Sequence, residues 1–333
     1  MISLPDRITS NLKRELRRSL LAKLGLVLLI GILLMAIFAP LLATHDPTRT
    51  GYLDENGNEY PPLGTEYTTE IGEDGEFVEV EVDSTSEHIL GTNNIGQDVF
   101  SRLLYGARTS LLVGLLGTGL AVLIGVPFGL TAGYYGGRVD DVMMRVADVM
   151  LAFPSLVLAL ALIGVFGTAG IGVPDPIVMA GLADGMPEST AIPGTVTLVV
   201  ALVTWVWFAR VARGEAMAVR NEEYVKAARS IGMSNWTILR KHVLPNSLTP
   251  VIVLATIQVA AVILLESSLS FLGFSGTTLS WGYEIQRGQD YLRTRWWIAM
   301  VPGIGIVLSV ISVNLLGDWL RDALDPNIEG EGR

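Results

Sequence analysis

The stretch EEYVKAARSIGMSNWTILRKHVLPNSLTP, residues Glu222–Pro250, is charged and lies between two segments that are apolar enough to cross a bilayer. Its first half consists of helix formers and is followed by Gly232, the residue type that most easily adopts a left-handed C-cap. Ser234 is a favourable N-cap for a second helix, which Pro245 and then Pro250 are expected to end. The stretch therefore predicts two short helices that meet at a glycine corner.

This stretch also carries apolar side chains that a solvated connector would not need. Ala227 and Ala228 keep the first helix narrow enough to enter a groove. The apolar anchors beside them are Tyr224, Val225, Ile231, Trp236, Ile238 and Leu239. We therefore expect the stretch to dock on a partner, and a plain connector is the alternative.

The composition is that of a polytopic membrane protein, because 50% of the residues are hydrophobic and only 17% are charged. Six uncharged or nearly uncharged runs have the ~20 residues that a helix needs to span the hydrocarbon core. These predicted spans are Leu24–Thr44, Thr109–Gly137, Val149–Pro174, Ser189–Ala209, Val243–Leu265 and Trp296–Gly317. The fold class expected is an all-α membrane domain of six transmembrane helices.

The distribution of Lys and Arg predicts the orientation. Basic residues are concentrated in the N-terminal tail and in the loop after the fourth span, which the positive-inside rule places in the cytoplasm. With six spans, both termini are then cytoplasmic. The loop after the fifth span fits the rule less well, because it carries Arg287, Arg293 and Arg295. Within residues 1–23, leucines at helical spacing beside arginines predict an amphipathic segment at the cytoplasmic interface.

The net charge of −10 is distributed unevenly. Between His45 and Tyr105 there are fourteen Asp and Glu against two Arg, so this predicted external loop carries −12 and the rest of the chain +2. The acidic loop is either a surface adapted to high salt, as in halophiles, or a solvated insertion without a ligand role. Strict alternation over Phe77–Val82 between turn residues predicts a small hairpin.

The charged stretch resembles a known family element. Ala227-Ala228, three residues, Gly232, nine residues and then His242-Val243-Leu244-Pro245 have the spacing of the cytoplasmic "EAA" loop of ABC-importer permeases. Lys226 departs from the Glu that is common in that motif, and His242 replaces its usual Ile. A histidine before x-Leu-Pro-Asn is typical of the peptide-permease branch. His242 therefore makes the resemblance more specific, to that branch of the family.

Five further patches occur in the order and spacing of oligopeptide and dipeptide permeases. They are LGTNNIGQDVFSRLLYGARTSLLVG from Leu90, GGRVDDVMMRVADVMLAFPS before and into the third span, and then LLESSLSFLGF, SWGYEI and NLLGDWLRDALDP. In the first of them Asn93 and Gln97 stand where the family has Asp and Arg. The chain is thus similar, over nearly its whole length, to the second-permease type of the peptide/nickel transport family.

The resemblance implies the type I permease fold of ABC importers. We expect a cytoplasmic amphipathic segment, a first transmembrane helix, an acidic extracellular loop with a possible hairpin, a five-helix core and a cytoplasmic tail. These occupy residues 1–23, 24–44, 45–108, 109–320 and 321–333, and the core includes a coupling loop at residues 214–250.

The resemblance also implies partners. The chain would pair with a homologous permease, two ABC ATPase subunits that carry ATP and Mg, and an extracellular solute-binding protein, and it would lie in the cell membrane surrounded by lipid. No nucleic-acid partner is expected. The residues expected to couple to the ATPase are Glu223, Tyr224, Ala227, Ala228, Gly232, Trp236, His242, Leu244 and Pro245.

The sequence lacks a G-x-x-x-x-G-K-[ST] phosphate-binding loop, and none of its four lysines follows a glycine-rich segment. We therefore expect a transport subunit without its own ATPase site and without a cofactor. The three histidines lie far apart along the chain, so no metal site is expected. The solute, whether dipeptide, oligopeptide, nickel, glutathione or sugar, is left open.

An ion-coupled secondary transporter or channel is the alternative function. Such a protein needs ionisable groups inside the membrane. Glu266 is the only acid placed well inside an apolar stretch. It would either face the translocation path or make a structural hydrogen bond or ion pair between helices.

Overall fold

The computed structural model describes residues 14, 16, 19–54, 57–72, 74–276 and 278–324. Most of the expected amphipathic segment at residues 1–23 lies outside these described residues. The same holds for most of the expected tail at residues 321–333. The last described helix ends at Leu324.

The described chain is predominantly helical. Its helices are α1 (Leu20–Ile37), α2 (Ala39–Leu42), α3 (Val99–Tyr135), α4 (Gly137–Leu151), α5 (Ser155–Phe166), α6 (Pro176–Met179), α7 (Gly194–Val219), α8 (Glu223–Ser230), α9 (Asn235–Ile238), α10 (Leu244–Phe271), α11 (Trp281–Gly288) and α12 (Trp297–Leu324). Within the described ranges, five continuous helical stretches are long and apolar enough to cross a membrane, and α4 with α5 could form a sixth span. The expected all-helical polytopic fold is confirmed.

The third span differs from the straight helix predicted over Val149–Pro174. Helix α4 ends at Leu151, and α5 leaves it at an angle of 89°. Pro154 lies in the break, where it has no N–H to donate and disfavours helical geometry in the residue before it. The end of the predicted span is a strand, β3 (Gly170–Pro174).

The fourth span likewise begins later than predicted. Residues Ser189–Pro193 form strand β4, which pairs antiparallel with β3 in the register Gly170↔Pro193, and α7 follows at Gly194. Neither strand contains a charged residue, so the sequence did not distinguish them from the ends of membrane-spanning helices.

The second span begins ten residues earlier than predicted, at Val99. Asp98 caps α3, because its carboxylate accepts a hydrogen bond from the backbone N–H of Ser101 at 2.8 Å. The helix runs for 37 residues, about 55 Å if straight, and so connects the acidic-loop end of the molecule to the coupling-loop end.

The acidic loop contains a two-stranded hairpin. Strand β1 (Tyr67–Ile71) pairs antiparallel with β2 (Phe77–Glu81), with Tyr67 opposite Glu81 and Ile71 opposite Phe77. Near the start of α3, the Asn93 side chain donates to the Gln97 side chain at 2.9 Å in a buried site. A neutral hydrogen bond therefore joins the two positions at which the resemblance implied Asp and Arg.

Helices α3 and α7 pack closely against each other and form the centre of the fold. Three glycines four residues apart make this approach possible. A Cβ at Gly125, Gly129 or Gly133 would overlap the backbone oxygen of Trp205, Ala209 or Arg213, respectively. The α3 backbone thus lies directly on the α7 backbone, as in small-residue packing between membrane helices.

Candidate coupling surface

The corner of the coupling loop is a glycine-terminated helix end. After α8, Gly232 has φ +83°, in the left-handed region. The N–H of Gly232 bonds to the carbonyl of Arg229, and the N–H of Met233 bonds to the carbonyl of Ala228, both at 3.1 Å. These two bonds define a Schellman motif, so the expected left-handed C-cap is present.

The second helix starts as predicted but does not stop where the sequence suggested. Ser234 accepts a hydrogen bond from the N–H of Thr237 and caps α9. The expectation that Pro245 and Pro250 end this helix is wrong, because the chain continues through a π-helical turn, Leu239–Val243, into α10.

The π turn explains why Pro245 is tolerated. Leu244 donates its N–H to the carbonyl of Leu239, five residues back, so the wide turn ends directly before the proline. Pro245 then occupies the first turn of α10, where its missing N–H costs least. The Asn246 side chain donates to the carbonyl of His242 at 2.6 Å and satisfies an acceptor next to the proline.

The coupling loop has two faces of opposite character. Val225, Ala228, Ile238, Leu239 and Val243 are buried in one hydrophobic cluster with the ends of α3 and α7. The exposed face carries the large side chains of Tyr224, Ile231 and Trp236, which are 43%, 78% and 71% exposed. These three side chains lie on α8, on α9 and at the corner between them, which makes this face the candidate interaction surface.

The alanine pair is divided between these two faces. Ala227 is exposed, whereas Ala228 is only 5% exposed and packs inside the same chain. The expectation that both alanines enter a partner's groove is therefore corrected. Only Ala227 is available to a partner, and Ala228 anchors α8 to the core.

Three polar contacts join the coupling loop to the end of α3. Tyr134 donates its hydroxyl hydrogen to the Asn235 side-chain oxygen at 2.9 Å, and the Arg229 guanidinium lies 5.4 Å from the centre of the Tyr134 ring. Arg220 donates to the carbonyl of Gly133 at 2.8 Å. The corner and the second span are thus connected by packing, hydrogen bonds and a cation–π contact.

The other predicted coupling residues lie around this corner. Glu223 is exposed in the first turn of α8, where a carboxylate is favoured by the helix dipole. His242 packs near Tyr224, with 6.1 Å between the ring centres, and Pro245 is exposed. Trp236 and Leu244 border an apolar groove of about 250 Å³, and its other lining residues include Val126, Pro127, Leu130 and Leu239.

Glu266 is fully buried among serines. Its carboxylate accepts hydrogen bonds from Ser110 at 3.2 Å, from Ser270 at 2.6 Å and from Ser267 at 3.4 Å. Ser110 belongs to α3, so the bond to Glu266 links α10 to α3. This geometry favours the structural hydrogen bond over exposure to the translocation path.

Ion pairs connect the helices at both ends of the molecule. At the acidic-loop end, the side chain of Arg102 forms a buried two-pronged pair with Glu284, with N–O distances of 2.8 and 2.5 Å. At the coupling-loop end, Arg213 of α7 pairs with Asp140 of α4 at 2.5 Å. The exposed Arg210 pairs with Asp148 at 2.7 Å, so these charges act between helices.

The fold also brings together His45, His88 and Asp98, a cluster that their spacing in the sequence did not indicate. His45 and His88 are distant along the chain, but the fold places their ring centres 4.4 Å apart. His45 follows the first span and His88 precedes the second, so closing the acidic loop brings them together. Burial, and then the neighbouring His88, lower the pKa of His45 below its ordinary value.

Comparison with known proteins agrees with this architecture. The family model "Binding-protein-dependent transport system inner membrane component" matches residues 125–330, and "N-terminal TM domain of oligopeptide transport permease C" matches residues 11–62. The chain is 34% identical, over 95% of its length and 91% of the relative's, to the "Probable D,D-dipeptide transport system permease protein DdpC" of Escherichia coli K12.

Another relative has a different solute in its name. The "Glutathione transport system permease protein GsiD" of Pectobacterium atrosepticum is 35% identical over 74% of each chain. Among solved structures, a chain of the inward-facing MetNI methionine ABC transporter is 17% identical with a TM-score of 0.48, and the match covers 67% of this chain and 96% of that one. The two family models and the near-full-length relatives show that this chain belongs to the binding-protein-dependent transport system inner membrane components, as an ABC-importer permease of the peptide-transport type.

Proposed function

We propose that the chain forms, together with a homologous permease, the path by which an ATP-driven importer moves dipeptides, other peptides or a related small solute across the cell membrane. The names of the relatives support this solute class, since they include D,D-dipeptide and glutathione permeases. An extracellular binding protein would deliver the solute at the acidic-loop end. Two ATPase subunits would bind ATP and Mg, because this chain has no phosphate-binding loop.

The observation that supports coupling most directly is the two-faced coupling loop. Its inner face is fixed to the core by Val225, Ala228 and Ile238, which are at most 5% exposed. Its outer face presents Tyr224, Ile231 and Trp236 to a partner. An element that is rigid on one side and apolar on the other is suited to transmit a push from an ATPase subunit.

The contacts of the corner between α8 and α9 indicate which helices would move when an ATPase subunit displaces the coupling loop. Movement of α8 and α9 reaches α3 through Tyr134 and Asn235, and it reaches α10 through the continuous π turn. Both α3 and α10 pack on α7. We therefore propose that these three helices move together when the translocation path changes between its inward-facing and outward-facing states. This subunit itself would make or break no covalent bond.

In this proposal, the coupling loop and both termini lie in the cytoplasm. The basic residues of the N-terminal tail and the coupling loop support that orientation by the positive-inside rule. Glu266 would keep a structural role, because three serines surround its carboxylate.

A cysteine crosslinking experiment tests the coupling surface, since the chain has no native cysteine. Ala227→Cys should crosslink to an ATPase subunit and lose its reaction with aqueous thiol reagents when that subunit binds. Ala228→Cys is the matched control and should react poorly with or without the ATPase, because it is buried within this chain. Labelling of Ala227→Cys from outside intact cells would contradict the proposed orientation and the docking site.

A further inference from the structure

Three segments that are distant in sequence bring metal-ligating side chains together at the acidic-loop end. His45 follows the short helix α2, His88 stands at the end of the acidic insertion, and Asp98 caps α3. One ligand atom from each lies within 4.8 Å of the other two. His88 and Asp98 are buried, whereas His45 is half-buried and leaves a route to solvent.

The two carboxylate oxygens of Asp98 have different surroundings. Oδ2 accepts hydrogen bonds from the Ser101 N–H at 2.8 Å and from the Thr44 hydroxyl at 3.3 Å, which fixes the carboxylate in place. Oδ1 faces the histidines, 2.8 Å from His88 Nδ1 and 3.9 Å from His45 Nδ1. One oxygen is thus held by the helix cap, while the other points at both imidazoles.

The histidine rings are themselves held in position. The Tyr60 ring stacks on His88 with 5.5 Å between centres, and the Tyr52 ring lies 5.0 Å from His88 and 4.7 Å from His45. These rings form an apolar shell that limits solvent access to the imidazoles, as the surroundings of a metal site do.

We propose that His45, His88 and Asp98 form a Zn²⁺ site with its fourth position open to water. Two imidazoles and one carboxylate are a ligand set that Zn²⁺ accepts with tetrahedral geometry. Bond lengths of about 2.0–2.1 Å place tetrahedral ligand atoms roughly 3.3 Å apart. The distance between Asp98 Oδ1 and His88 would therefore increase slightly, and the His45 ring would exchange its 3.0 Å contact with the Thr44 hydroxyl for the metal.

Such an ion would act as a clip for the acidic loop. It would join the end of the first span to the start of the second and to the segment that closes the insertion between them. Closing a long loop restricts the unfolded chain, so binding should stabilise this end of the molecule. The −12 charge of the surrounding loop would also attract a divalent cation.

Zinc binding to the full-length chain tests the proposal, with the protein purified in detergent through a tag that contains no histidine. Equilibrium dialysis against ZnCl₂ with metal analysis should give one Zn²⁺ per chain. His45→Ala should weaken binding by about tenfold or more, because a ligand is lost. His242→Ala is the matched control, since it removes the remaining histidine of the chain from the opposite end and should leave binding unchanged.

Thermal unfolding gives an independent result. Zn²⁺ should raise the unfolding temperature of the wild type and of His242→Ala but not that of His45→Ala, when each protein is compared with itself in the presence of a chelator. Absence of stoichiometric zinc, or equal binding by His45→Ala and wild type, would overturn the site and leave the cluster as a hydrogen-bonded pair inside an aromatic cage.

Discussion

The left-handed conformation of Gly232 is the residue-scale feature on which the corner between α8 and α9 depends. No atom lies within 4 Å of the position that a Cβ would occupy there, so a side chain would fit, and only the backbone conformation is restrictive. A β-branched residue at φ +83° should cost ~1–2 kcal/mol.

We therefore expect Gly232→Val to leave the protein inserted in the membrane but to reduce solute uptake relative to ATP hydrolysis. Gly232→Asn is the control, because Asn tolerates the left-handed region and should retain most uptake. Uptake and ATPase activity would be measured in membranes with equal amounts of the transporter. Normal coupling in the Val variant would show that the corner geometry is unimportant.

The buried pair of Arg102 and Glu284 leads to a second residue-scale prediction. Glu284→Gln leaves the Arg102 charge buried without its partner, and loss of one member of such a pair typically costs about 3–5 kcal/mol. Asp148→Asn is the control, since its pair with Arg210 is exposed and should contribute less than ~1 kcal/mol. Thermal unfolding in detergent should separate the two variants clearly, and equal unfolding temperatures would contradict this difference.

At the scale of elements, local signals predicted the caps and apolar composition predicted the membrane class. The glycine C-cap at Gly232 and the serine N-cap at Ser234 are both present, because these preferences depend on neighbouring backbone groups alone. Proline gave a weaker signal, because the expectation that Pro245 ends a helix was wrong. Pro154 accompanies the 89° break in the third span, whereas Pro245 is accommodated by a π turn, and only tertiary packing decides between those outcomes.

Tertiary packing also decides which residues of the coupling loop are exposed. Of the six apolar anchors expected to face a partner, three are exposed (Tyr224, Ile231 and Trp236) and three are buried in this chain (Val225, Ile238 and Leu239). The sequence could separate neither these two sets nor Ala227 from Ala228, because which side of the loop faces the core depends on the end of α3. The cluster of His45, His88 and Asp98 depends on loop closure, for which sequence spacing gives no signal.

The contact between α3 and α7 gives a prediction at this scale. Gly129→Ala should destabilise the protein by about 1–3 kcal/mol, because its Cβ would overlap the backbone of Ala209. Gly119→Ala in the same helix has no atom within 4 Å of its Cβ and should be neutral or slightly stabilising. Unfolding temperatures in detergent test this, and equal stability of the two variants would contradict the close approach of the helices.

At the scale of the whole molecule, the acidic loop contacts two of the three arginines that fit the positive-inside rule poorly. Arg295 donates to Glu59 at 2.7 Å and lies 4.0 Å from Glu70, and the Arg293 guanidinium is 5.1 Å from the centre of the Phe77 ring. Part of the loop's negative charge is thus paired with the segment that precedes α12. These contacts hold the hairpin against the end of the helical domain.

Removal of Arg295 should loosen that attachment. The Arg295–Glu59 pair is partly buried, so Arg295→Ala should cost about 1 kcal/mol and increase the population of detached hairpin roughly fivefold. A glutamate-specific protease, added in the presence of a chelator, should then cleave the acidic loop about fivefold faster. The cleavage rate is expected to follow the fraction of molecules in which the hairpin is detached. Arg287→Ala changes the net charge equally, but Arg287 lies over the Tyr283 ring and forms no ion pair with the described residues of the acidic loop. The cleavage rate of this variant should therefore match that of the wild type. Equal cleavage of all three proteins would mean that the loop is held by contacts other than this ion pair.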